Sequence, residues 1–181
     1  MGKIAALVKQ LLIEIEGDPI RKDLIETPDR VERALAELLD GYKVDILGLF
    51  KSFDNEGTDQ IIAIKDIPFV SFCEHHMLIF SGTVDMAYLP NGKVIGASKI
   101  PRLVAAYAHR LQIQERLTEQ IATTLMENLQ PKGVAAIVRA SHSCMECRGI
   151  KAHGSTMVTS VMLGAFRESQ SSRMEVLSLL E

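Results

Sequence analysis

Two short segments collect the side chains best suited to hold a metal and move protons. The first is "CEHH", Cys73 to His76, inside the apolar run "SFCEHHMLIF". The second is "HSCMECRG", residues 142 to 149, with His142, Cys144 and Cys147. Together they hold all 3 cysteines and three of the 5 histidines. Zinc takes Cys thiolate, His nitrogen or carboxylate, almost always with four ligands in total. Cys73 and His76 stand three apart, so on a straight strand they point to opposite faces. They converge only if the chain bends or bulges there. His142 and Cys144, two apart, share a face if they lie on a strand, and Cys144 forms a CxxC with Cys147.

Four arrangements are compatible with this set. One is a reduced, metal-free core of small hydrophobes. Another is a redox CxxC, which belongs at a strand-to-helix turn of a βαβ unit and finds no such pattern here. The third is a closed structural zinc site using Cys73, His76, Cys144 and Cys147. The fourth is an open site with three protein ligands and a water, whose pKa zinc can lower to about 7. His75 and His142 favour the open site: each adjoins candidate ligands and is able to transfer protons. The zinc nucleobase deaminases use H-x-E and then P-C-x-x-C. Here Glu74 directly follows Cys73 and Ser143 precedes Cys144, so both halves of that pattern fail.

A second constellation suits an anion. "GASKIPR", 96 to 102, puts Lys99 and Arg102 three apart in the first turn of an expected helix, after Ser98. Cations there oppose the helix dipole, and free N–H groups beside them suit a phosphate or carboxylate. Arg148 adds a fork matched to phosphate oxygens. Neither GxxxxGK[ST] nor GxGxxG occurs, which excludes P-loop and Rossmann nucleotide sites. Gln114 and Glu115 open another helix. The Glu115 carboxylate can accept two hydrogen bonds from an amidine-like edge such as that of guanine, and so reject analogues lacking those donors.

Elements must bring these segments together. Residues 3 to 16 place Ile4, Leu7, Val8, Leu11, Leu12 and Ile15 on one helical face. A second helix starts at "ETPDRV", with Thr27 as N-cap and Pro28 in the first turn, and closes at Gly41. After a loop over 53–60, strands are expected over 60–72 and 81–90, with a hairpin turn at "PNGK". A helix capped by Ser98, a helix over 114–129, strands over 133–142 and 155–166 and a short C-terminal helix follow. This is an α+β chain: a β-β-α-α-β-β unit behind two helices, one domain overall, with a helical region 1–52 and a catalytic region 53–181. With 181 residues and 47% hydrophobic content, it can bury a substantial core. A net charge of -3 gives no electrostatic footprint for nucleic acid. No apolar run reaches membrane-spanning length. Lys9 and Glu14 interrupt the N-terminal apolar stretch and no small-residue cleavage site follows, so a cytoplasmic protein is expected.

At this level of detail the chain resembles the GTP cyclohydrolase I family. "CEHH", "YLPNGKVIGASKIPRLV", "RLQIQERLTEQIA" and "HSCMECRG" followed by "TSVMLGAF" carry the likeness, which spans roughly residues 24 to 177. It implies a tunnelling fold whose units assemble into a β-barrel, in a homodecamer with active sites between subunits. It implies hydrolysis of GTP to formate and 7,8-dihydroneopterin triphosphate, the entry to tetrahydrofolate or biopterin synthesis. Position by position, it implies Zn2+ on Cys73, His76 and Cys144, with His142 as principal acid/base and His75 as a second catalytic histidine. Glu115, with Gln114, would hold the guanine edge; Lys99, Arg102 and Arg148, with Ser98 nearby, would bind the triphosphate. Three positions depart from the family pattern: Ile79, where proline is common; Pro101, where a small or polar residue is usual; and Cys147, a further thiol that offers a fourth ligand or a disulfide partner for Cys144.

Overall fold

Apolar residues alternate or run continuously along the segments before and after "CEHH", and each becomes a long strand. The computed structural model describes residues 2–54 and 57–181. Asn55 and Glu56, in the expected loop over 53–60, lie outside the described residues. Two compact units are present, Met1–Asp40 and Gly41–Glu181.

The first unit is a pair of helices, α1 (Lys3–Glu16) and α2 (Thr27–Leu38), packed on each other. Pro28 and Asp29 occupy the first turn of α2 as expected. Thr27 is not its cap: the helix includes Thr27, and Glu26 takes the flanking position without a side-chain capping bond. Nor does Gly41 end it; α2 stops at Leu38, and Gly41 belongs to a 3-10 turn, Asp40–Lys43. The apolar stripe of α1 forms, but Ile4, Leu7, Leu11 and Ile15 are 39 to 67% exposed.

The second unit is built on a five-stranded sheet. Its strands are β2 (Ile62–Cys73), β3 (Ile79–Leu89), β5 (Leu111–Gln112), β6 (Gly133–His142) and β7 (Met157–Gly164). The order is β5-β2-β3-β6-β7, with all pairs antiparallel except β2–β5. Helices α3 (Lys99–Ala108) and α4 (Gln114–Leu129) pack against it. Leu117, Ile121, Leu125 and Leu129, four apart on α4, are all buried, so one stripe of that helix seals the core. A short helical turn, α5 (Ser143–Glu146), follows β6, and α6 (Ala165–Glu168) and α7 (Gln170–Leu180) close the chain. Phe166, Val176 and Leu180 of these last helices bury against Ala87, Ala135 and Ile137 in a second, smaller cluster. Gly82 sits where β3 and β6 approach so closely that a β-carbon would collide with the Arg139 carbonyl.

Two local expectations change. "PNGK" does turn the chain, but β4 (Lys93–Ile95) pairs with β1 (Ser52–Asp54) in a separate two-stranded sheet, not back on β3. Turn chemistry sets a reversal; it does not choose the partner strand. Ser98 lies at the N-cap position of α3, yet its backbone is helical and its side chain makes no capping bond.

Candidate metal centre

The "CEHH" segment is a full reversal rather than a kink in one strand. Strand β2 ends at Cys73, and β3 begins at Ile79 with Phe72 opposite Ile79. The turn closes on Cys73: its carbonyl accepts from the His76 and Met77 amides at 3.3 and 2.8 Å, and its amide donates to Leu78 at 2.8 Å. Met77 supplies the left-handed residue, φ 51°. This reversal folds His76 back over Cys73, placing its Nδ1 3.9 Å from Cys73 Sγ.

The second segment arrives through the sheet. Phe80, next after Ile79, pairs with His142, the last residue of β6. The chain then leaves the strand for α5, so Cys144 reaches the site from a helical turn, not from the strand face shared with His142. One ligand atom each from Cys73, His76 and Cys144 lie within 4.8 Å of one another. Tetrahedral zinc with sulfur at 2.3 Å and nitrogen near 2.0 Å separates two ligand atoms by about 3.5 Å. Two thiols and an imidazole at these spacings therefore fit zinc, in chemistry and in reach. Cys147 is exposed and outside this group among the described residues, so the four-residue closed arrangement does not form.

His142 is 9% exposed and stacks face to face on Phe80, with centroids 4.6 Å apart and planes 3° from parallel. Its Nε2 lies 2.9 Å from Gln114 Oε1. Burial pushes its pKa down, opposed by the nearby Glu115 and Glu146 charges, so the neutral base is favoured. His75 differs: it is exposed, with Nδ1 3.9 Å from Cys73 Sγ and Nε2 4.0 Å from Glu74 Oε1. Glu74 itself is held by a two-pronged ion pair, Arg116 Nη1 and Nη2 donating at 2.5 and 3.0 Å. That pair ties the ligand turn to the first turn of α4, and the Arg116 hydrogen bond is the main reason the Glu74 carboxyl sits below the usual carboxylate range.

Cys73, His75, Gln114, Glu115, His142 and Cys144 line one pocket of about 240 Å³. Drug-sized ligands fill roughly 300–1,000 Å³, so this cleft has room for a base but not for a large anionic tail. Arg148 stands at its metal side, Nη1 3.1 Å from His76 Nε2. Ser98, Lys99 and Arg102 do not join it. They start α3 beside the Tyr88 end of β3, where the Ile95 amide donates to the Tyr88 hydroxyl, whereas β5 after α3 pairs with Phe72 and Cys73. The ten residues of α3 thus separate Lys99 from the metal end by roughly 15 Å of helix.

Gln114 lines the pocket beside Glu115, but its side-chain amide is turned into the protein. It is 1% exposed, and its amide is engaged by Val138, Met157, Thr159 and His142. Three contributors escape the motif reading: Phe80, Arg116 and Gln112. Only the alternation in "RLQIQER" hinted that Gln112 and Gln114 share an inward face. Gln112 Oε1 is the one fully buried side-chain atom without a partner among the described residues.

An α+β sheet joins a Cys-turn-His hairpin to a Cys-bearing helical turn, with a buried histidine and an exposed glutamate alongside, as in an enzyme of the tunnelling fold with a group that could hold a metal ion. A family model for GTP cyclohydrolase I matches residues 4–181. The chain is 45% identical over 179 residues to GTP cyclohydrolase 1 of Caldanaerobacter subterraneus subsp. tengcongensis, covering 98% of this chain and 95% of the relative. It is 46% identical to that of Thermoanaerobacter pseudethanolicus over the same shares, and 48% identical to that of Gloeobacter violaceus over 96% of this chain and 81% of the relative. The chain belongs to the GTP cyclohydrolase I family. Among the described residues no helix is long and apolar enough to cross a membrane.

Proposed function

We propose that this protein hydrolyses GTP to formate and 7,8-dihydroneopterin triphosphate, the first step of tetrahydrofolate or pterin synthesis, in the cytoplasm. The observation that carries this reading is the Cys73, His76 and Cys144 group opening onto the pocket that also holds His142 and Glu115. Zinc held by those three side chains would supply Lewis acidity, making water acidic enough to yield hydroxide near neutral pH. Glu115 accepts the N1–H and 2-amino protons of guanine and sets the purine edge-on. His142 takes a proton from the water attacking C8 and returns one to a ring nitrogen as the C8–N bond breaks. His75 serves as the second proton carrier at the exposed end of the pocket. Arg148 binds the first phosphates beside the metal, as a guanidinium fork suits them. Residues 53–181 form the catalytic region.

Ser98, Lys99 and Arg102 bind the triphosphate from a neighbouring subunit. Two features support this: one chain keeps them away from the pocket, and the pocket is too small for the whole nucleotide. The exposed stripe Ile4, Leu7, Leu11, Ile15 suits self-association. The assembly is a homodecamer with active sites between subunits.

The test is incubation of zinc-loaded protein with GTP, followed by assay of formate and of a fluorescent oxidised pterin. Both products in equal amounts are expected. Zinc-loaded, folded protein that leaves GTP intact overturns the reading.

A further inference from the structure

Behind His142, a chain of hydroxyls and carbonyls fixes the orientation of the Gln114 amide. Thr118 Oγ1 donates to the Gln114 main-chain carbonyl at 2.7 Å, spending its only proton. At 2.6 Å from Thr118, Thr159 must then be the donor of that hydroxyl pair. Thr159 Oγ1 is left as an acceptor, 3.1 Å from Gln114 Nε2. The Val138 and Met157 carbonyls, acceptors only, lie 3.0 Å from the same nitrogen. Three acceptors surround one end of the Gln114 amide, so that end is the NH2. A flipped amide would press its oxygen against two carbonyls and a hydroxyl oxygen whose proton is already given away, so that oxygen would be buried among acceptors with no donor. The other end, Oε1, is therefore an acceptor, and it faces His142 Nε2 at 2.9 Å.

We infer that Gln114 is a positioning residue: its Oε1 accepts the His142 Nε2 proton and holds the neutral imidazole in the tautomer whose Nδ1 carries the free lone pair. The Nδ1 atom has no protein partner among the described residues. Nor is it sealed off, since Gln112 Oε1 alone is fully buried without a partner and His142 lines the pocket. Phe80, stacked within 3° of parallel, fixes the plane in which that lone pair points. The tautomer is thus chosen by hydroxyls and carbonyls of α4, β6 and β7, none of which need touch substrate. The same network keeps the Gln114 amide nitrogen engaged by Val138, Met157 and Thr159, so using it on a ligand would give up those three bonds.

This inference rests on the proposed role of His142 in proton transfer, but its first test does not. A neutron structure of the deuterium-exchanged wild-type protein, with the ring neutral, locates the proton directly. Deuterium on Nε2 with none on Nδ1 is the expected result; deuterium on Nδ1 overturns the assignment, whether or not GTP is turned over. The second test is Gln114→Met, which keeps volume and removes the acceptor. In the zinc-loaded variant kcat should fall about 10–100-fold, the scale of lost outer support for an active imidazole, with KM for GTP little changed. An unchanged kcat, or a rise in KM alone, overturns the positioning role even if the tautomer is as stated. Should Gln114→Met fail to fold, the neutron result on the wild-type protein decides alone. Absence of GTP turnover by the wild-type protein would refute the proposed function while leaving the deuterium position to judge the tautomer.

Discussion

The two histidines that flank the candidate metal group are built by opposite means. His142 ends a central strand, is 9% exposed, and has its ring plane and one nitrogen fixed by Phe80 and Gln114. His75 rides a hairpin turn with its side chain 64% exposed, and its nearest polar neighbours are about 4 Å away. A base whose geometry is paid for during folding needs no reorganisation at the moment of reaction. A side chain on an exposed turn adapts to what arrives. The buried half of the site is thus set by one chain, whereas the outer half, with His76, Arg148 and the Glu74–Arg116 pair, is open to a ligand or neighbour.

Breaking the metal group should have the largest effect, because both halves hang on it. Cys144→Ser is expected to abolish zinc retention and GTP turnover, measured by metal analysis and formate release. Cys147→Ser, by contrast, should retain both, since that thiol lies outside the group. Metal loss from Cys147→Ser would collapse the distinction between an open and a closed site.

His142→Ala should keep zinc and slow turnover by about 10²–10⁴-fold, the range for a positioned acid or base. His75→Ala should cost less. If the order is reversed, the exposed histidine is the principal proton carrier and the comparison fails.

Glu115→Ala removes two hydrogen bonds to a charged acceptor, each about 1.5–3 kcal/mol. A drop of about 10²-fold or more in kcat/KM is expected, with zinc content unchanged. Normal turnover by the variant would remove guanine recognition from this carboxylate.

The smallest effect concerns the tether of the outer half. The Arg116 hydrogen bond depresses the Glu74 pKa in the folded state. A depressed carboxyl adds stability above its unfolded pKa and loses it as pH falls through the folded value. Wild-type protein should therefore melt slightly above Glu74→Gln at neutral pH, and the gap should close in the acid range. A gap that persists in acid would mean the pair is not what holds the turn. Because both groups are solvent-exposed, the gap should also shrink in high salt.

How far this was legible from the chain differs between fold and site. Helix α4 and strand β6 match their expected ranges because their period and their stops, Gln114 at one end and "PKG" before the other, are local properties. The two segments that supply the candidate metal group were also legible, since no other segment offers cysteine near histidine, though spacing alone left Cys147 in the set. The pairing of β4 with β1, the exposed face of α1 and the inward turn of Gln114 were not, because each depends on what packs opposite.

By itself, then, the order of residues determined which side chains are able to hold a metal and which elements carry them, because spacing and periodicity act over a few neighbours. The tertiary structure alone decided that "CEHH" reverses the chain, that Cys144 comes from a helical turn while Cys147 stays out, and that Gln114 faces His142. Those outcomes come from sheet register and hydrogen bonds between segments tens of residues apart, such as Phe80 opposite His142 and Gln114 under Val138 and Met157. A linear pattern states what chemistry is possible; only the packing of distant segments sets where each proton and lone pair points.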